Sequence, residues 1–169
     1  MLIGGKGCSE PRLLPDGWVL EKAQLKDLDT IISFNRSMAK ETEGKDLDLQ
    51  TATSGVKAVL SDPNRGFYLI VRDELDNLVG QLMVTFEWSD WRSGWFWWIQ
   101  SVYVRLDSRN RGVYAALHCK VLEMAKEQKD VVGLRLYVDS DNHVAQAAYQ
   151  ALEMEQTRYL LFEYPIHIK

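Results

Sequence analysis

Cysteine is scarce in this chain: Cys8 and Cys119 are the only two in 169 residues, and they lie far apart with no CxxC. That spacing indicates neither a disulfide framework nor a thiolate metal site. Histidine is almost as rare. His118, His143 and His167 come with no HExxH and no clustered carboxylates, so a zinc site is not expected. A surplus of positive charge is also missing, since 20 basic and 24 acidic side chains give a formal charge of -4 and a pI near 5.4. Nucleic-acid binders usually carry a net basic footprint, and this chain does not. No apolar run approaches the roughly 18 residues of a membrane span. Met1–Gly7 has no long apolar segment to serve as a signal peptide. The expectation is a cytoplasmic protein that works without metal, membrane or nucleic acid.

What is present suits an ordinary globular domain, with 46% apolar and 26% charged residues. No repeat, low-complexity tract or linker divides it, so a single domain over residues 1–169 is expected, with 1–16 as a loosely held arm. A short strand is read at Trp18–Leu20. Near-helical spacing of Leu25, Leu28, Ile31, Ile32 and Phe34 predicts a helix from Ala23 to about Lys40. A second helix is expected over Thr53–Leu60, stopped by the turn residues Asp62 to Gly66. Three strand-like blocks follow at Phe67–Arg72, Leu78–Glu87 and Trp95–Arg105. A four-turn apolar stripe marks a helix over Gly112–Gln128. A strand at Leu134–Val138, a helix at Asn142–Leu152 and a last strand at Arg158–Tyr164 complete the order. The fold class is mixed α/β of the α+β type, a largely antiparallel central sheet flanked by helices.

The segment from Val102 to Leu117 carries the most chemistry. A strand ends near Arg105, a polar loop holds Arg109 and Arg111, and Gly112 opens the long helix. The first N–H groups of a helix lack internal partners and carry partial positive charge, which makes an anion site. A strand-loop-helix turn with two solvated arginines is the plainer reading, and it stands beside the first. Neither GxxxxGK[ST] nor GxGxxG is present, which removes the main support for kinase or dinucleotide readings. Thirty residues on, Asn142, Ala145 and Tyr149 fall on one face of the next helix. There Asn142 is either a cofactor contact or a helix cap, and Tyr149 is either a hydroxyl reaching a cleft or a packed ring.

Together these elements resemble the GNAT family of N-acetyltransferases, over roughly Trp18–Tyr164. The family's phosphate loop, Q/R-x-x-G-x-G/A, is matched by Arg109-Asn110-Arg111-Gly112-Val113-Tyr114, with Tyr114 in place of the small last residue. The Asn142 to Tyr149 helix is similar to the family's next motif, with Glu153-Met154 where Gly-Phe often follows. The resemblance implies acetyl-CoA as donor, its pyrophosphate on the amides of Arg109 to Tyr114. Its pantetheine arm would lie along Val102, Tyr103 and Val104, on a strand splayed from its neighbour by a bulge. Asn142 would touch that arm, and Tyr149 would act as general acid beside the sulfur. The base varies within the family. Gln100 stands where polyamine-acetylating relatives carry an acidic pair, and an amide cannot act as a base. Glu87 is then the candidate base, with Asp90 second; both could equally be solvated hairpin charges.

The resemblance further implies direct acetyl transfer to the primary amine of a small molecule, in a homodimer. A peptide or protein amine is the rival acceptor, and an acyl-CoA-binding module without turnover is the rival class. Trp95-Phe96-Trp97-Trp98 could wall an amine pocket by cation–π contact, fill the core or form a subunit interface. Glu41, Glu43, Asp46 and Asp48 are either an acidic lip of the acceptor pocket or a solvated cluster. Cys119 lies on the wrong element to be an obvious acyl carrier.

Overall fold

A computed structural model describes Cys8 and residues 14–166. The chain divides into two compact units, Cys8–Tyr137 and one holding the chain from Val138 onward. The first contains a five-stranded sheet in the order β1 (Val19–Lys22), β2 (Phe67–Arg72), β3 (Leu78–Ser89), β4 (Gly94–Val104), β5 (Val131–Arg135). Neighbours from β1 to β4 are antiparallel, and β5 runs parallel to β4. The largely antiparallel sheet read from the turn signals is therefore present, closed on one side by a parallel strand after a helical crossover.

Alternation along the strands sorts the side chains onto two faces. On one face Leu69, Val71, Leu82, Val84, Trp97 and Ile99 pack under α3 (Val113–Glu127), which contributes Val113, Leu117 and Val121. On the other, Tyr68, Ile70, Leu78 and Tyr103 pack under α1 (Leu28–Glu43) and α2 (Leu49–Ser61) with Ile31, Ile32, Phe34 and Val56. α1 ends at Gly44, held at φ 65°, a left-handed cap that glycine adopts without penalty. α2 starts four residues before the expected Thr53, because the Asp48 carboxylate caps it by accepting from the Thr51 N–H at 2.8 Å.

β5 lies three residues earlier than Leu134–Val138. The strand takes in Gly133, where a Cβ would stand 2.9 Å from the Phe96 ring.

The absence of a disulfide is overturned. Cys8 and Cys119 are bonded, with Cα atoms 5.3 Å apart across a sequence separation of 111. Spacing could not reveal the pair, since disulfide geometry depends on Cα distance in space and not along the chain. The remainder of the arm expected over residues 1–16 lies mostly outside the described residues.

In the second unit α4 (His143–Ala151) matches the expected helix. The last strand does not form: Arg158–Tyr164 has no ladder partner among the described residues. β-forming residues supply propensity, but a strand also needs a neighbour for its N–H and C=O groups. Tyr159, Leu160, Leu161, Phe162, Tyr164 and Ile166 are each 67–88% exposed. Among the described residues no helix is long and apolar enough to cross a membrane.

Candidate active site

The two arms of the sheet part at β4. Its pairing with β5 runs from Trp95↔Val131 to Trp98↔Arg135 and goes no further, although β4 continues to Val104. On its other side the β3 register slips between Gln81↔Tyr103 and Met83↔Gln100, so Ser101-Val102 faces Leu82 alone. Ser101 is the residue bent out of the pleat, at φ 49°. A bulge of this kind twists its strand and re-aims the backbone beyond it. Val102, Tyr103 and Val104 thus form a stretch of β4 that has left the β5 ladder.

The loop after β4 carries the motif residues. A 3-10 turn at Leu106–Ser108 is followed by Arg109 in extended conformation, Asn110 at φ 61° and Gly112 at φ 80°. Two left-handed residues flanking Arg111 curl successive N–H groups into a concavity of the type that binds anions. Gly112 caps α3 and has no side chain to bond to its first turn; the helical ladder begins with Ala116 N–H donating to Gly112 C=O. The start of α3 is seated directly on the sheet. A Cβ at Gly80 would stand 2.5 Å from Val113 Cγ1, so the glycine allows the helix its close approach.

The loop arginines have distinct duties. Arg105 grips Asp107 with two bonds of 2.8 Å and holds that carboxyl down at about 2, so its guanidinium is committed locally. Arg109 donates from Nε to the Val104 carbonyl at 2.9 Å and from Nη2 to Glu41 at 2.6 Å. The Tyr103 hydroxyl donates to the other Glu41 oxygen at 3.1 Å. Arg109 chiefly, and Tyr103 less, keep the Glu41 carboxyl below its ordinary range. Arg111 lies 5.8 Å from the centre of the Trp18 ring.

Glu41 is a contact to the loop that its sequence neighbourhood concealed, because four acidic residues crowd that connection. In space they separate. Glu43 pairs with Lys45, Asp46 with Lys40, and Asp48 caps α2, while Glu41 alone reaches the loop. Beside it, between α1 and α2, is a cavity of about 640 Å3 lined by Asp29, Ser33, Arg36, Ser37 and Lys40 among others.

Glu87 lies on the face of β3 and β4 that α1 covers further along. Its two oxygens accept from the Trp98 indole N–H and from Arg135 Nη1, the latter at 2.9 Å. Next along that face the Gln100 amide donates to the Thr85 hydroxyl at 2.5 Å. Asp90 is exposed in the β3–β4 turn and accepts the Trp91 N–H.

The aromatic run is mostly packing. Trp97 is in the core edge-on to Phe67, and Trp95 packs on Phe86. Phe96 lies 3.5 Å beneath the Arg135 guanidinium, so an internal cation already covers that ring. Trp91, at 92% exposed, projects from the hairpin tip.

Asn142 and Tyr149 are both on α4. Asn142 is its N-cap, accepting from the Ala145 N–H at 3.1 Å. Tyr149 is half-buried, and burial raises its phenol above the ordinary value of 10.0.

A strand bent out of its ladder, an N–H concavity and a glycine-seated helix are the geometry, and comparison with known proteins gives them a family. The model of the acetyltransferase (GNAT) family matches residues 25–154. The chain belongs to the GNAT family. Among solved structures it is 42% identical to a possible acetyltransferase from Clostridium difficile 630, with a TM-score of 0.83 over 90% of this chain and all of that one. A predicted acetyltransferase with acetyl-CoA from Clostridium acetobutylicum is 16% identical, with a TM-score of 0.72 over 87% of this chain and 96% of its own. The ribosomal-protein-alanine N-acetyltransferase of Brucella melitensis is 16% identical, with a TM-score of 0.71 over 89% and 99%. At those lower identities the likeness is one of fold. No curated protein matches. GNAT membership supports an acetyltransferase, and the sheet is the one its structural neighbours share.

Proposed function

We propose that this GNAT protein acetylates the primary amine of a small molecule with acetyl-CoA as donor, by direct transfer with both substrates bound. The observation that carries this reading is the coincidence of an N–H concavity at Arg109–Tyr114 with a β4 edge freed at Val102–Val104. The chain's residues fit the donor in charge and shape. The amides of Arg109, Asn110, Arg111, Gly112, Val113 and Tyr114 would hold the pyrophosphate, aided by the Arg111 guanidinium. Tyr114 fits the loop despite its bulk, because its ring turns towards His118, 5.9 Å between centres. Val102, Tyr103 and the Val104 N–H would pair with the pantetheine arm, the Val104 carbonyl being already taken by Arg109. Acetyl-CoA supplies the acetyl group as an activated thioester.

On this reading Tyr149 is the general acid, protonating the departing thiolate sulfur. A phenol kept protonated by burial stays a proton donor across the neutral range. Glu87 is the base we assign, acting through water because both its oxygens already accept a hydrogen bond. Asn142 contacts the donor through the amide nitrogen that its capping role leaves over. The cavity beside Glu41 receives the acceptor.

The whole chain acts as one domain, as a family match running across both compact units suggests. We also assign it a homodimer. Six exposed apolar side chains over 159–166 are costly to leave in water, and a second copy can cover them. The location we infer is cytoplasmic, where acetyl-CoA is available and a reducing environment would hold Cys8 and Cys119 as thiols.

The test is thiol release from acetyl-CoA against polyamines, amino acids, aminoglycosides and short peptides, run beside Tyr149→Phe and Glu87→Gln. Turnover with small amines is expected, reduced about 100-fold or more in each variant. Turnover confined to peptides would replace the acceptor class. CoA binding without turnover on any acceptor would make the domain an acyl-CoA-binding module.

A further inference from the structure

β3 reads Leu-Val-Gly-Gln-Leu-Met-Val, with one strongly polar side chain in an apolar run. Gln81 is fully buried, at 0% exposed, on the α1 side of the sheet. Its Nε2 donates to Asn35 Oδ1 at 2.7 Å and to the Ser101 carbonyl at 3.3 Å. Asn35 Nδ2 donates to the Tyr68 hydroxyl at 3.5 Å. Tyr68 of β2, Asn35 of α1, Gln81 of β3 and the Ser101 carbonyl of β4 are therefore joined in one chain of hydrogen bonds that ends at the bulge. The Ser101 carbonyl can only accept, so it must face the Nε2 end of the amide. The other end, Oε1, is buried with no partner among the described residues.

Both features oppose stability. A buried acceptor left unpaired costs about 1–3 kcal/mol, and a non-glycine residue held in the left-handed region costs a similar amount. An apolar side chain at position 81 would avoid the first cost, and regular pairing of β4 would avoid the second. The two occur together on adjacent strands, a few residues beyond the last β4–β5 pair at Trp98↔Arg135. Strain concentrated at such a point is accounted for by what it does to β4, not by what it adds to the core.

We propose that Gln81 is a positioning residue: its amide holds the Ser101 bulge, which keeps Val102–Val104 turned out of the β4–β5 ladder to receive the acyl donor. The proposal rests on the acetyltransferase reading for the donor's place, but its structural half can be measured without turnover.

The test is Gln81→Met, which keeps length and volume while removing both donors and the orphan acceptor. Amide hydrogen exchange over residues 101–104 is measured by mass spectrometry in the unliganded protein, with melting temperature, KM for acetyl-CoA and KM for the acceptor. The expected result is exchange over 101–104 changed about tenfold and KM for acetyl-CoA raised about tenfold, with the melting temperature unchanged or higher. KM for the acceptor stays as in the wild type. A lower melting temperature with unchanged exchange and unchanged KM would overturn the proposal and leave Gln81 a core residue only. Asn35→Ser removes the partner that orients the amide and takes the same readouts if Gln81→Met does not fold. If the wild type transfers no acetyl group, the functional reading fails, and the exchange comparison still decides whether Gln81 holds the bulge.

Discussion

His118 gives the most quantitative test of the packing. It lies on α3 with 2% of its surface exposed, and its Nδ1 is 3.4 Å from the Tyr114 hydroxyl. Burial among apolar neighbours lowers its pKa from 6.5 to about 4. Below 6.5 the unfolded chain binds a proton that the folded chain refuses. The stability tied to the neutral ring is therefore whole above 6.5 and is lost as pH falls towards 4. At about 1.4 kcal/mol per pH unit the full drop is about 3 kcal/mol, of which about 2 kcal/mol is gone by about pH 5. Against a total of about 5–15 kcal/mol that is a large fraction. The measurement is urea unfolding at about pH 7 and about pH 5, for the wild type and for His118→Leu. Carboxylates held low, Glu41 and Asp107 among them, weaken both proteins alike in acid. The wild type is expected to lose about 2 kcal/mol more than the variant over that interval. Parallel losses in the two proteins would refute a neutral, buried His118.

Three further outcomes follow from particular contacts. Asp27, 4% exposed, is paired with the buried Arg72, so Asp27→Asn should cost about 3 kcal/mol in chemical denaturation; a loss under about 1 kcal/mol would mean Glu21 alone satisfies the arginine. Gly80→Ala puts a methyl 2.5 Å from Val113 Cγ1. It should cost about 1–3 kcal/mol and shrink the thermal shift given by CoA, whereas an undiminished shift would show that the α3 terminus is not the anion site. Cys119→Ser opens a loop of 111 residues, a loss of up to about 5 kcal/mol on the chain-entropy account. It should melt like the wild type in dithiothreitol, and a wild type indifferent to dithiothreitol would refute the bridge.

The elements that sequence located best carry their own periodicity. β2 begins and ends at the expected residues, and α3 differs by one residue at either end, because an alternating or four-turn apolar pattern is a local property. The loop from Arg109 to Tyr114 was legible for the same reason, since its glycine, arginines and helix start are consecutive. What was not legible depends on distant neighbours. The early start of β5 rests on Gly133 fitting beneath the Phe96 ring, a contact with a distant strand. Cys8 and Cys119 carried no signal of their approach. Glu41 was one of four acidic residues, and only the fold set it against Arg109. Gln81 did leave a trace, a polar residue at an inward register of an apolar strand, which is the pattern of a buried hydrogen-bonding duty.

The two faces of the sheet explain why the loop after β4 is easier to read than the polar face of β3 and β4. The face under α3 is apolar from Leu69 to Ile99, so the helix can sit close and present its N-terminus at the end of β4. That arrangement needs only a glycine, a loop and an apolar stripe, all local features. The opposite face collects the polar side chains of β3 and β4: Gln81, Thr85, Glu87 and Gln100 all point there, by the same alternation that sends Trp95 and Trp97 to the core. A sheet that only had to support helices would gain by being apolar on both faces, since each buried polar group must find a partner. Thr85 and Glu87 have theirs in Gln100, Trp98 and Arg135, on strands 11 to 48 residues away in the chain. On the proposed reading, the polar groups of this face that an amine would meet are set by cross-strand pairs. On that reading Gln100 offers the acceptor an amide and no acid, its own amide already donating to Thr85. A panel of amines differing in charge at the end remote from the reacting nitrogen is the way to read it.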